Sequence, residues 1–237
     1  MSPPGRPKGE YRSAQREGTP MSPPGRPKGE LRSAQHEGAP GSALDPLLID
    51  VPERIETERL LLRPPRPGDG AMLCDAVGET LAELAQWMPW AQAEPTAQDS
   101  ELQCRRMHAR FVSREDLVYF MLERGADGSE GAFVGGTGLH RIDWNVPRFE
   151  IGYWRRAGFD GRGLIAEAVR ALARTAFDAL GARRVEIRMD PRNACSVRVA
   201  ERAGFTFEGV LRQDSVDVKG AVRDTRVYAR VRGVEEA

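Results

Sequence analysis

Hydrophobic positions change period along the chain, and the changes mark its elements. Phe149, Ile151 and Tyr153 alternate with Glu150, Gly152 and Trp154, the two-residue period of a strand. A glycine inside such a strand, here Gly152, marks a bulge or a close approach by a neighbouring group. Leu164, Ile165, Ala168, Val169, Leu172, Ala176, Phe177 and Leu180 then fall on one face at helical spacing. Gly181 stands where a left-handed C-terminal cap belongs. The same reading predicts strands at 58–64, 117–123, 132–142, 148–154 and 184–189, with two more near 205–212 and 224–232. Helices are predicted near 68–86 and 96–112, at 163–180 and, short, at 194–203. Several antiparallel strands followed by a strand–helix–strand unit predict an α/β fold with a mixed, mostly antiparallel sheet flanked by helices.

The N-terminus lacks either period. Residues 1–20 recur as 21–40 with three changes, Tyr11/Leu31, Arg16/His36 and Thr19/Ala39. This segment is rich in Pro, Gly, Ser and charge and has almost no apolar residues, so it cannot bury enough surface to fold. The expectation is a disordered tail over 1–45 and a folded domain over 50–233. Over the repeat, residues 1–40, basic residues outnumber acids seven to four. It reads as a basic arm touching RNA or ribosomes, or as a recent duplication or mis-set start.

Composition narrows the chemistry. The 237 residues carry 35 basic and 35 acidic side chains and are 40% hydrophobic, enough for one sizeable core. Zero net charge does not favour a nucleic-acid partner. No apolar run approaches the roughly 18 residues of a membrane span, and no signal-peptide pattern is visible. Cys74, Cys104 and Cys195 have neither disulfide nor metal spacing. These features predict a reduced, cytoplasmic protein without a metal.

Candidate chemistry begins after the central strand, in Gly158-Phe-Asp-Gly-Arg-Gly163 and the helix that follows. A glycine turn that opens a helix presents unpaired N–H groups and a positive dipole end to a phosphate. A P-loop is excluded by glycine spacing and by the missing Lys-Ser/Thr. Gly161-Arg-Gly163-Leu-Ile-Ala166 matches a dinucleotide fingerprint, but the strand before it alternates with charge rather than reading as a buried parallel strand.

Two motifs in order carry a resemblance. Tyr153–Glu167 is similar to motif A of the GNAT superfamily of acetyl-CoA-dependent N-acetyltransferases. Asp190-Pro-Arg-Asn-Ala-Cys-Ser196 with Ala203-Gly-Phe205 resembles motif B. Thr57-Glu-Arg-Leu-Leu-Leu-Arg63, Gln86-Trp-Met-Pro-Trp90 and Asp224–Arg230 resemble the Rim-type ribosomal-protein N-terminal acetyltransferases. The resemblance spans residues 55–233. Gly158 departs from it, standing where the superfamily carries Arg or Gln; Arg155, Arg156 or Arg162 can supply that charge.

The resemblance implies a sheet splayed where acetyl-CoA's pantetheine arm enters, and direct acetyl transfer to an amine. It assigns coenzyme contacts to Ile151, Tyr153 and Trp154 on the strand, to Gly158, Gly161, Arg162 and Gly163 in the turn, and to Leu164, Ile165 and Asn193. It makes Glu150 the general base, with Asp214 as the alternative, and Ser196 the acid that protonates the leaving thiolate. It places Trp87 and Trp90 beside the acceptor. Asn193 also reads as a plain helix N-cap, and Glu150 as an ion-paired glutamate beside Arg148 or Arg188. With three scattered histidines, Cys195 has no evident partner as a nucleophile. The acceptor implied is a protein N-terminal α-amine, as on a ribosomal protein; a small amine, or a non-catalytic acyl-CoA-binding regulator, are the rivals. The protein is expected to be a monomer or homodimer.

Overall fold

The computed structural model describes residues 45–235, so the tandem repeat lies outside the described residues. The chain opens with a short 3-10 turn at Pro46–Leu48 and runs β1 (Ile55–Glu56), β2 (Leu60–Arg63), α1 (Gly70–Leu84), α2 (Ala97–Val112), β3 (Leu117–Arg124) and β4 (Glu130–Asp143). It continues through β5 (Arg148–Arg155), α3 (Leu164–Asp178), β6 (Arg184–Met189), α4 (Ala194–Arg202), β7 (Thr206–Val216) and β8 (Val222–Val231). Every predicted helix and strand is present. The sequence reading missed β1 and the 3-10 turn, both too short to show a period. It also stopped β7 early, because a register shift between Leu211 and Ser215 breaks the alternation there.

The strands form one sheet in the order β1-β2-β3-β4-β5-β6-β8-β7. All neighbours are antiparallel except β5 and β6, which run parallel and are joined by the α3 crossover. α3 lies on one face, and all eight residues of the predicted stripe are buried, seven in α3 and Leu180 just past its end. They pack against Phe149 and Ile151 of β5 and Val185 and Ile187 of β6. Gly181 has φ +67°, as a left-handed cap requires. On the other face Leu73, Val77 and Leu84 of α1 and Cys104 of α2 cover Phe120 and Phe133. Leu60, Leu61 and Leu62 are all fully buried because β2 is covered on both sides.

β5 and β6 separate partway along. Their pairing runs from Arg148↔Arg184 to Glu150↔Glu186. Beyond that point β5 pairs with β4 as far as Arg155, while β6 pairs with β8 as far as Met189. The backbone of β5 from Ile151 onward therefore has no β6 partner. The sheet is splayed at its centre, immediately before the glycine turn.

Arg63 at the end of β2 locks the far end of this frame. Its side chain is 5% exposed and binds both carboxylate oxygens of Asp69, at 2.7 and 2.9 Å, and Glu130 at 2.8 Å. Removing one partner of a buried ion pair strands the others without compensation. Arg63→Leu should therefore cost about 3 kcal/mol in chemical denaturation. A loss no larger than that of an exposed arginine would show that the network contributes little.

Candidate active site

The glycine turn is shaped by three left-handed residues, with φ +83° at Gly158, +68° at Gly161 and +74° at Gly163. Only glycine adopts such angles without strain. A Cβ on Gly158 or Gly161 would meet nothing within 4 Å, so the concave side of the turn is open. Gly163 is the N-cap of α3. The first intrahelical bond is Glu167 N–H to Gly163 O, at 3.2 Å, which leaves the N–H groups of Leu164, Ile165 and Ala166 pointing out of the helix end. The turn fits a pyrophosphate on backbone donors.

Thr57 and Arg59 fix that turn from behind. Glu167, in the first turn of α3, accepts from the Thr57 hydroxyl at 2.6 Å, the Arg59 N–H at 3.0 Å and the Arg59 Nε at 2.7 Å. Arg59 also donates to Arg162 O at 2.9 Å. Burial pushes the Glu167 carboxyl up, but these hydrogen bonds outweigh it and leave it below the usual range. The arginines proposed for phosphate contact are held by acids: Arg155 by Glu83 at 2.9 Å, Arg156 by Glu79 at 2.6 Å and Arg162 by Glu123 at 2.6 Å. Such exposed pairs are weak in water and can be exchanged for a phosphate.

At the splay, Tyr153 of β5 reaches across to α4. Its hydroxyl lies 2.8 Å from Ser196 Oγ and 3.1 Å from Ser196 O. The carbonyl can only accept. Either hydroxyl can donate across the 2.8 Å contact, and when Tyr153 donates to Ser196 Oγ the Ser196 proton is left free to point into the splay. Burial pushes the Tyr153 phenol well above its ordinary range, so it stays protonated. Asn193 caps α4 by accepting from the Ser196 N–H at 3.0 Å.

Beside the splay, on the α1–α2 face, is a cavity of about 690 Å³. Its walls are largely apolar: Leu73, Val77, Met88, Trp90, Met107, Phe120 and Trp154. Trp90 packs edge-to-face on Trp154 with centroids 6.1 Å apart, yet it remains 55% exposed. The cavity meets the splay at Gly152 and Tyr153. The His140 ring lies on its floor, where a Cβ on Gly138 or on Gly152 would come within 2.9 Å of the ring. Gly152 thus marks a close approach, by His140. His140 Nδ1 is 2.6 Å from Asp116 Oδ1.

Comparison with known proteins agrees with this geometry. The family model for the acetyltransferase (GNAT) domain matches residues 59–206. The chain belongs to the GNAT family. It is 30% identical over 178 residues to YdaF of Bacillus subtilis (strain 168), covering 73% of this chain and 91% of that protein. It is 26% identical to the ribosomal-protein-serine acetyltransferase of Escherichia coli (strain K12), over 64% of this chain and 79% of the relative. Among solved structures, RimL, a ribosomal L7/L12 α-N-protein acetyltransferase in complex with coenzyme A, superposes with a TM-score of 0.68 at 23% identity. That match covers 78% of this chain and all of RimL. The microcin C7 self-immunity acetyltransferase MccE, in complex with acetyl-CoA and AMP, gives 0.67 at 23% identity, over 74% and 93% of the two chains. The fold is the GNAT fold, and the protein is an N-acetyltransferase.

Within this GNAT domain the residues singled out from sequence fall into separate groups. Tyr153, Ser196 and Asn193 meet at the splay, and Ile151 is buried beneath it in the α3-side core. Trp90 and Trp154 line the cavity, whereas Trp87 is half-buried and outside its wall. Glu150 is also outside that wall. Its Oε2 is buried and makes no well-aligned hydrogen bond, although Arg141 Nε lies 3.3 Å away and Arg188 Nε 3.9 Å. The distances describe an ion pair without hydrogen-bond geometry. Burial raises the Glu150 carboxyl, and the two arginines oppose it. Asp214 sits on the other side of Arg188, 2.7 Å from its Nη2. Hydrogen bonds from Thr225 and Arg188 hold its carboxyl below the usual range, which makes it a poor proton acceptor. Arg188 was thus the right expected partner for Glu150; the second is Arg141, not Arg148.

The sequence reading missed His140 and Asp116. A signal was present: Gly136, Gly138 and His140 share one face of β4 and stand against Trp154, Gly152 and Glu150 of β5. Two glycines around one imidazole, Gly138 and Gly152, mark a floor that side chains must leave clear. Among the described residues no group of His, Cys, Asp and Glu is placed to hold a metal, and no helix is long and apolar enough to cross a membrane.

Proposed function

We propose that this GNAT enzyme transfers the acetyl group of acetyl-CoA to the N-terminal α-amine of a protein, with a ribosomal protein as the acceptor class. The observation that carries the reading is the Tyr153–Ser196 pair at 2.8 Å. It lies in the splay, beyond the phosphate turn along the sheet and beside the cavity. The coenzyme's diphosphate is taken by the turn at Gly161 and Gly163 and the first N–H groups of α3, with Arg162 free to exchange Glu123 for a phosphate. Its pantetheine follows the unpaired backbone of β5 past Ile151. The amine enters from the cavity, its nitrogen bonds the acetyl carbon, and the C–S bond breaks. Ser196 gives its proton to the leaving thiolate and recovers one from the Tyr153 hydroxyl, which is refilled by the N–H proton that the nitrogen sheds as the amide forms, so Tyr153 ends protonated. No covalent enzyme intermediate is needed, because the amine is itself a good nucleophile.

An N-terminal acceptor is supported by the Escherichia coli ribosomal-protein-serine acetyltransferase among the relatives and by the exposed Trp90 at the cavity wall. A rigid ring offers contact area to an extended peptide at little conformational cost. Trp90→Ala should raise the KM for a peptide beginning with Ser or Ala about tenfold, the loss of roughly 1.4 kcal/mol of contact, and leave the KM for acetyl-CoA unchanged. An acceptor screen decides the class. Efficient acetylation of an amino sugar or polyamine, with none of any N-terminal peptide, would overturn the protein-acceptor reading and leave a small-amine acetyltransferase.

A further inference from the structure

The geometry points to His140, oriented by Asp116, as the residue that takes the proton from the acceptor amine. This rests on the reading that the amine occupies the cavity beside the splay. Asp116 is 8% exposed and precedes β3, where its Oδ1 lies 2.6 Å from His140 Nδ1. A carboxylate only accepts, so Nδ1 carries the hydrogen and Nε2 of the neutral ring presents a lone pair. Nε2 lies against the floor between Gly138 and Gly152, 2.9 and 3.0 Å from where their Cβ atoms would be. Gly152 is also where the cavity meets the splay. A lone pair fixed on that floor is placed for an ammonium entering from the cavity side.

The surrounding charges suit the role. Asp116 is also paired with Arg110 of α2, at 3.3 Å. Glu150 stands directly opposite His140 across the β4–β5 ladder, so an imidazolium formed at His140 has carboxylates on both flanks. Arg106 of α2 lines the same cavity, and Arg141 follows His140 in β4. Arg141 has φ +46° at the register shift between His140 and Asp143. That bulge brings its guanidinium back to Glu150 instead of letting it continue the alternation. Glu150 is therefore engaged by Arg141 and Arg188, Asp214 by Arg188, and His140 faces the cavity. The proton balance is simple: the ammonium N–H bond breaks, His140 Nε2–H forms, and the freed nitrogen lone pair attacks the thioester.

The test is thiol release by the full chain from acetyl-CoA and a Ser-initial peptide, measured from pH 6.5 to 9.5. His140→Gln should lower kcat/KM about 10²-fold at pH 7, the usual contribution of a positioned base. The deficit should shrink at least tenfold by pH 9.5, because an α-amine with a pKa of about 8 then arrives already deprotonated. Acetyl-CoA affinity by calorimetry should not change. Asp116→Asn, which leaves the ring in place, should give a smaller loss with the same pH trend, and it carries the test if His140→Gln does not fold. A deficit that is constant across pH, or none in either variant, would overturn the proposal. So would a pH-dependent loss in Glu150→Gln with full activity in His140→Gln. If the wild-type chain acts on a small amine and on no peptide, the protein-acceptor reading falls, and the same pH series with that amine still decides the role of His140.

Discussion

Gly163→Asp is expected to abolish acetyl-CoA binding in a chain that still folds. An aspartate Cβ at this position would meet only Arg59 Nη2, at 3.9 Å, so the side chain has room. The φ of +74° costs a non-glycine residue about 1–2 kcal/mol, which a domain of this size tolerates. The carboxylate, however, would occupy the anion site at the positive end of α3. It would repel the diphosphate and compete for the N–H groups of Leu164, Ile165 and Ala166. Calorimetry should show affinity reduced at least about 100-fold, a loss of roughly 2.7 kcal/mol. Gly163→Ala, which carries the strain without the charge, should lose much less. Unchanged affinity in folded Gly163→Asp would overturn the assignment of the turn to the diphosphate.

Ser196→Ala is expected to lower kcat about 10²- to 10⁴-fold, the range for a positioned acid, while acetyl-CoA affinity stays the same. The fold should survive for two local reasons. Asn193 caps α4 through the Ser196 backbone N–H rather than its hydroxyl, so the cap is retained. Tyr153 keeps the Ser196 carbonyl at 3.1 Å as an acceptor, so no buried donor is orphaned. Tyr153→Phe removes only the reservoir behind Ser196 and should cost less. Single-turnover kinetics with saturating acetyl-CoA separates this loss from any change in binding. Full turnover in Ser196→Ala would remove Ser196 from the chemistry.

Much of the site was legible because it is built from local signals. The strand–turn–helix over Arg148–Asp178 needs only a change of period and glycines at a helix start. Asn193 reads as a cap from its position alone. Thr57 and Arg59 were legible as part of a motif but not in their role, because their partner Glu167 lies more than a hundred residues away. The choice of base was less legible for the same reason. Glu150 faces the right side of β5, but whether its carboxylate reaches a cavity or an arginine depends on a bulge in β4 and on the side chain of Arg188 in β6.

The sequence by itself determined the elements, the stripe that α3 buries, the glycine turn and the family motifs, since each depends on residues within a few positions of one another. The tertiary structure alone decided three things. It splayed β5 from β6 after Glu150, through strand pairings that no local pattern encodes. It closed the Tyr153–Ser196 contact across that gap. It also joined Asp116 to His140 on a floor of glycines drawn from two strands. Those contacts depend on register between distant segments, which is set by the packing of both sheet faces rather than by the period of either strand.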